Sequence, residues 1–182
     1  MVESEEYMKS TGIVRRIDDL GRIVIPKEIR KNLKIRDGDS LEIFTNESSI
    51  VLKKFSLMDD MISIANKLVV ITNKFINAKV LITNDNMVIA CSSDLKDKYL
   101  NQNISNFLIT KLEGRMDINQ DGKVDVQFIP NVNENCSYFI SPIIIDSDAI
   151  GLVVLFSNDC ISDTDYLFGK FLSSFFLKMV EE

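Results

Sequence analysis

The chain has 182 residues, 46% of them hydrophobic, with seven Gly and three Pro, an ordinary globular composition with room for one domain or two small ones. Its net charge is −6, yet eleven Lys and Arg face seven acids between Lys9 and Phe55, so that segment carries +4 and the remainder −10, an asymmetry that points to a basic head meeting a polyanion. The lack of histidine excludes Ser-His-Asp and Cys-His catalysis and removes the commonest transition-metal ligand, while three widely spaced cysteines with no C-x-x-C argue against a disulfide framework or thiolate zinc site.

The first ten residues, MVESEEYMKS, are acidic and carry no apolar signal core, and no stretch approaches the about 18 apolar residues of a membrane span. The expected compartment is the cytosol, with no membrane partner. From Thr11 to Asp18 the chain reads as a strand, Asp19-Leu20-Gly21 supplies turn chemistry, and Arg22 to Ile25 is a β-branched run that reads as a second strand. Pro26 stands where a helix can start, because its missing N–H costs nothing at the first helical position. Ile29 and Leu33 then lie four apart on one face, with Arg30 and Lys31 turned to solvent. After Asp37-Gly38-Asp39, the runs Ser40 to Thr45 and Ile50 to Phe55 flank Asn46-Glu47-Ser48-Ser49 as a closing hairpin. The predicted module has about four strands and one short helix. A unit of about 45 residues is near the lower limit for an independent core, so without disulfide or metal the expectation is an obligate dimer.

The run Lys9-Ser-Thr-Gly-Ile-Val-Arg15-Arg16, the Asp19-Leu-Gly-Arg22 turn, Ile23-Val-Ile-Pro26, Glu28-Ile-Arg30-Lys31, and Gly38-Asp39 before Leu41-Glu42-Ile43 together resemble the AbrB family of swapped-hairpin transition-state regulators. The resemblance implies that residues 8–55 form a DNA-binding domain in which two chains interleave their hairpins into one β-barrel-like dimer, with basic side chains on one face. Carried over residue by residue, it implies DNA contacts from Arg15, Arg22, Arg30 and Lys31, supported by Lys9 and Arg16. Lys31 stands where arginine is frequent in the family, which keeps the charge, loses the bidentate fork and suits a phosphate better than a base. The implied partner is double-stranded DNA with an A/T-biased operator. Because no long recognition helix is visible, specificity is expected from DNA shape and deformability, with few direct base contacts. From the residues alone, the same arginines read equally well as the solvated face of a half-buried sheet.

Beyond a short junction at Ser56, Leu57, Met61, Ile64, Leu68, Ile71 and Phe75 follow at spacings of four and three, an a/d seam on a helix. Strands are predicted at Lys79 to Thr83, Met87 to Cys91, Val124 to Ile129, Tyr138 to Ile145 and Ile150 to Phe156, with turn signals at Asn84-Asp85-Asn86 and Asp146-Ser147-Asp148. Asp117-Ile-Asn119-Gln-Asp121-Gly122-Lys-Val-Asp125 matches calcium-loop positions 1, 3, 5, 6 and 9, but position 12 is Phe128 and the residues after it alternate like a strand. The segment therefore reads as an acidic helix-to-strand turn, and no metal site is assigned. Cys91 and Cys136 read as buried, inert thiols. The last helix opens on Ser162 and Asp165 as a capping box and carries a second seam, Phe168, Leu172, Phe175 and Met179. Each seam can pack on the domain's own sheet or meet a second chain in a helix bundle, and the expectation is that both hold in part.

The order helix, two strands, helices, three strands, helix suits an α+β sensor fold. The stretch Ser141 to Phe156, SPIIIDSDAIGLVVLF, is similar to the final hairpin of a GAF domain. Residues 57–182 are thus expected to form a GAF-like sensor and oligomerisation domain with a helical layer, and the whole chain is α+β. An AbrB-like head joined to a GAF-like body resembles a family of two-part regulators of spore development. That resemblance implies a transcription regulator, activator and repressor, associated with the nucleoid and present in the forespore. It further implies a dimer through the head, a tetramer through the C-terminal helices, no cofactor and no catalytic residue. A GAF domain often binds a small molecule, but no ligand motif is readable here and no ligand-binding residue is assigned. Two alternatives stand beside this reading: a small-molecule sensor whose DNA binding is secondary, and an antitoxin, since antitoxins share the swapped-hairpin module. Antitoxins usually carry a short disordered tail, whereas more than a hundred residues follow Phe55.

Overall fold

The computed structural model describes residues 11–33, 35, 37–46, 48–55, 58 and 61–181. The chain divides into two compact units, Met1–Phe55 and Ser56–Glu182.

In the first unit, the two strands predicted between Thr11 and Ile25 do not form within one chain. A strand exists only against a ladder partner, and this segment closes a single turn, from the Asp18 N–H to the Arg22 carbonyl at 3.1 Å and from the Gly21 N–H to the Asp18 carbonyl at 3.0 Å. Gly21 supplies the left-handed φ of +77° that this turn requires. Helix α1, Lys27–Asn32, follows Pro26, which is its N-cap and so stands one position before the first helical residue. Strands β1, Leu41–Asn46, and β2, Ser49–Lys54, pair antiparallel from Leu41↔Lys54 to Asn46↔Ser49, as the sequence predicts. Asn46 Oδ1 closes their hairpin by accepting the Ser49 N–H at 2.8 Å and the Ser49 hydroxyl at 2.7 Å. Among the described residues, the unit thus has two strands and one helix in a single chain. Pro26 is the one buried residue described there, while Val14 is 85%, Leu20 74% and Val24 73% exposed.

The second unit runs α2 (Ile62–Thr72), β3 (Lys79–Asn84), β4 (Val88–Cys91), a 3₁₀ turn (Ser93–Leu95) leading into α3 (Lys96–Tyr99), α4 (Asn106–Gly114), β5 (Ile118–Val126), β6 (Glu134–Ile145), β7 (Asp148–Ser157) and α5 (Asp163–Glu181). Its sheet has the order β4-β3-β7-β6-β5 with every neighbouring pair antiparallel, an α+β arrangement in the element order predicted. Strand β5 begins at Ile118 and so takes in most of the calcium-like stretch, with the ladder register shifting between Gln120 and Val124 where Gly122 adopts φ +84°. Asp117, the first position of that stretch, accepts the Ser141 hydroxyl at 2.7 Å and the Lys170 ammonium.

Helices cover both faces of this sheet, which is why β6 and β7 read as nearly continuous apolar runs. One face carries Phe139, Ile143, Val153 and Leu155 beneath Met61, Ala65, Val69, Leu172 and Phe176. The other carries Cys136, Tyr138, Ile140 and Val154 beneath Tyr99, Leu108 and Leu112. The predicted capping box forms: Ser162 Oγ accepts the Asp165 N–H at 3.1 Å, and Asp165 Oδ2 accepts the Ser162 N–H at 2.9 Å. Asp165 Oδ1 also accepts the Ala78 N–H at 3.3 Å, which ties the start of α5 to the chain entering β3.

The first seam is displaced from its predicted position. Met58, Met61, Ala65, Val69, Thr72 and Ile76 form the buried stripe, because the small side chains of Ala65 and Thr72 let the helix approach the sheet closely. Of the predicted seam, Met61 belongs to the internal core, Ile64 and Leu68 are half-buried, Ile71 is 51% exposed, and Phe75, beyond the end of α2, is 65% exposed; Leu57 lies outside the described residues. In the second seam Leu172 is wholly buried against the unit's own sheet, Phe168 and Phe175 are half-buried, and Met179 is exposed. Met61 and Leu172 are therefore core residues and cannot face a second chain. Phe75 stacks on Phe168 with ring centroids 5.8 Å apart, so the outer flanks of the two seams meet.

Cys91 and Cys136 are buried and Cys160 is exposed. Burial pushes the Cys136 thiol up to about 11 and raises that of Cys91, which keeps both protonated at neutral pH. Gly151 packs against the backbone of Thr83, where an added Cβ would collide with a carbonyl oxygen that cannot move, whereas a Cβ on Gly169 would meet the Phe139 ring at 2.6 Å. Gly169→Ala should therefore cost the ~1–3 kcal/mol of ordinary overpacking, relieved by rotation of the ring, and Gly151→Ala more than that. Denaturant unfolding of the two variants checks this ordering.

Candidate nucleic-acid interface

The basic side chains of the first unit fall into two groups. Arg22 and Arg30 are each tethered to an acid. In the turn of residues 18–22, Asp18 Oδ1 accepts the N–H groups of Leu20 at 3.1 Å and Arg22 at 2.8 Å, an Asx-type closure, while Oδ2 accepts Arg22 Nε at 2.8 Å. The Arg22 side chain stays 73% exposed and that of Asp18 35%. The Arg22 backbone N–H, and after it the guanidinium, hold the Asp18 carboxyl below its ordinary value of 3.8. Arg30, in the last turn of α1, donates from Nη1 to Asp37 Oδ1 at 2.9 Å, and its Nε is buried with no partner among the described residues. The second group consists of Arg15, Arg16 and Lys31, which are exposed and form no ion pair with an acid among the described residues. Arg15 Nη1 meets the Val14 carbonyl oxygen at 3.3 Å. Lys9 lies outside the described residues.

Neither tethering acid stands out in the sequence as a DNA-binding candidate. Asp18 was findable, since an Asp four residues before the arginine that leaves a Gly turn is an Asx-turn signal. Asp37 was not, because its partner lies seven residues away across the end of a helix.

In the second unit, a depression of about 340 Å³ is lined by Asn77, Lys79, Leu95, Lys98, Glu134, Phe156, Ser157, Asn158 and Asp159. Its lysines already have partners, Lys79 with Asp94 and Lys98 with Glu134 at 2.7 Å. Tyr99 donates to the same Glu134 oxygen at 2.6 Å. Burial works to raise the Glu134 carboxyl, but the hydrogen bonds from Lys98 and Tyr99 outweigh it and hold the group below its ordinary value. Under α3 and α4 the space is filled by Phe107, Phe128, Tyr138 and Phe156, whose rings pack 5.0 to 6.4 Å apart. Among the described residues, no group of His, Cys, Asp and Glu could hold a metal ion, and no helix is long and apolar enough to cross a membrane.

A small basic module that exposes its arginines, followed by a larger α+β unit, is the layout of a two-part transcription regulator. Residues 60–179 match the family model described as Stage V sporulation protein T C-terminal, transcription factor, and residues 14–54 match the one described as Antidote-toxin recognition MazE, bacterial antitoxin. The chain is 42% identical over 154 residues to Stage V sporulation protein T of Bacillus subtilis (strain 168), covering 84% of this chain and 86% of that protein. It is 55% identical over 49 residues to the Transition state regulatory protein AbrB of the same organism, covering 27% of this chain and 51% of that protein. Among solved structures, a type II free methionine-R-sulfoxide reductase from Thermoplasma acidophilum shares the fold over 70% of this chain and 96% of its own, with a TM-score of 0.51 at 11% identity. The chain belongs to the stage V sporulation protein T family and is a sporulation-related transcription regulator.

The depressed Asp18 carboxyl favours the folded turn at all pH values above the ordinary carboxylate range, and this contribution is lost as pH falls through the lowered value. Carboxyl-resolved NMR should find Asp18 titrating below 3.8. In Arg22→Ala it should move up only part of the way, because the backbone N–H donors remain.

Proposed function

We propose that residues 8–55 are the DNA-binding domain and residues 57–182 the sensor and oligomerisation domain of a regulator that binds double-stranded DNA and activates some targets while repressing others. The observation that carries this reading is the exposed set Arg15, Arg16 and Arg22 around a turn whose flanking arms have no ladder partner among the described residues. A second copy's arms supply that partner and bury the apolar residues between the arginines, which makes the head a dimer. Arg15, Arg22, Arg30 and Lys31 contact DNA, supported by Lys9 and Arg16. A dimer doubles each contact, so roughly six to ten phosphates are neutralised and affinity falls steeply with salt. Helix α1 has six residues, too few to read a major groove, which favours recognition through shape and deformability. An A/T-biased operator suits this mode, because a narrow minor groove attracts arginine. The protein acts on the nucleoid in the cytoplasm of the forespore, by binding alone, with no catalytic step.

Two such dimers join through the second unit. The apolar flank of Ile71, Phe75, Phe168, Phe171, Phe175 and Met179 supports this, with Ile71 and Phe171 each about half exposed at 51% and 53%. Joining two heads in one tetramer raises affinity for paired sites through effective concentration. The match of residues 14–54 to an antitoxin model favours a second reading, in which the head binds a toxin protein. The folded unit that follows, in place of a short tail, weighs against it.

Arg15→Ala and Arg22→Ala should each abolish retention of specific DNA fragments while leaving the oligomer intact, in a filter-binding series at increasing salt. Unchanged affinity in both variants would remove these residues from the interface. Ile71→Glu or Phe171→Glu should halve the mass measured by light scattering and weaken DNA binding through lost avidity. An unaltered mass would mean that this flank faces solvent.

A further inference from the structure

We infer that Asp18 is a positioning residue for DNA recognition, holding the Arg22 guanidinium by one edge so that its two terminal nitrogens face outward as a fixed fork. The inference rests on the DNA-binding reading and extends it to an acid. Asp18 Oδ2 takes Arg22 Nε at 2.8 Å, while Oδ1 is occupied by the Leu20 and Arg22 backbone N–H groups, so the carboxylate is fixed by the turn before it meets the guanidinium. Both Nη groups of Arg22 have no partner among the described residues, and the side chain is 73% exposed. A guanidinium held through Nε presents Nη1 and Nη2 end-on, the geometry for two acceptors side by side, such as the adenine N3 and thymine O2 atoms along a narrow A·T minor groove.

Charge alone argues against an acid at this place. An exposed ion pair contributes little stability, and an acid beside a cation that meets a polyanion reduces the attraction. Arg15, Arg16 and Lys31 need no such partner to attract phosphate. Tethering one cation while leaving others free divides their work: the free ones supply attraction and the tethered one supplies orientation, and orientation discriminates between sequences. Arg30 is held differently, through Nη1 to Asp37 at 2.9 Å, so that one of its terminal nitrogens is already occupied.

Asp18→Asn separates the two effects. The amide oxygen can still accept both backbone N–H groups and keep the turn, while its NH₂ replaces the oxygen that holds Nε. The full-length protein, Asp18→Asn, Arg22→Ala and the double variant would be titrated with duplexes enriched by the wild type from a random library, and with an unselected duplex of equal length. Thermal unfolding and solution mass would be measured alongside. The expected result is that Asp18→Asn loses about tenfold in affinity for the selected duplexes, the scale of one bidentate contact, holds or gains affinity for the unselected one, and adds no loss to the residual, low-salt binding of Arg22→Ala. Equal losses on both duplexes, undiminished binding of the selected ones, or a further loss in the double variant would overturn the positioning role. If the wild type enriches no duplex and Arg22→Ala changes nothing, the DNA-binding reading itself fails.

Discussion

Apolar burial is the constraint on the head of this protein, and a single chain leaves it unmet. Residues 11–55 carry Ile13, Val14, Ile17, Leu20, Ile23, Val24, Leu33, Ile43, Phe44, Ile50 and Phe55, and all of them are exposed within the single chain. Full burial of such a side chain contributes ~1.5–3 kcal/mol, whereas ordering a residue's backbone costs ~1–2 kcal/mol. A segment that orders its backbone without burying these side chains has nothing to offset that cost. The arms of the 18–22 turn likewise have no ladder partner among the described residues. In the proposed dimer, folding and association of the head are one event, and the DNA-binding surface is complete only when two chains are present.

The second unit meets the same constraint within itself. Its sheet is covered on both faces, one by α2 and α5 and the other by α3 and α4, so its apolar strands have no need of a partner chain. Polar side chains then fix where the covering elements sit. Asp165 caps α5 and takes the Ala78 N–H, and Asp117 receives the Ser141 hydroxyl beside Ser173 of α5. These buried or half-buried bonds give the apolar contacts a single arrangement. What they leave over is the flank of Ile71, Phe75 and Phe171, apolar surface beyond what the sheet can cover.

Charge is partitioned along the same boundary. The segment Lys9 to Phe55 carries +4 and the rest of the chain −10, which confines attraction for a polyanion to the head. Within the head, Arg22 and Arg30 are tethered by Asp18 and Asp37, while Arg15, Arg16 and Lys31 are not. Net charge registers the acids only as a subtraction. Their positions place one carboxylate against each of two guanidinium groups, at 2.8 Å for Arg22 and 2.9 Å for Arg30.

Local features are written directly into the residues that form them. The hairpin of β1 and β2, the Asn84 and Asp146 turns, the capping box at Ser162 and the order of helices and strands in the second unit are each written in a few adjacent residues, because turn chemistry and periodicity act over one or two helical turns or a strand pair. The family was legible for the same reason, since its motif is a contiguous run. Tertiary structure decided which side of each periodic stripe turns inward. Leu68 and Ile71 fit a helical seam as well as Ala65 and Val69 do, and the smaller pair won the sheet because close approach favours small side chains. Leu172 went to the core and Phe171 to the surface, although they are neighbours of similar hydrophobicity, because only one of them points at Phe139 and Leu155. Strand β5 reached back to Ile118 because β6 offered it a ladder, which no pattern within its own residues announces. The arms beside Asp18 have a strand's sequence without a strand's partner among the described residues, because pairing in a sheet is a property of two segments and no single run of residues encodes both.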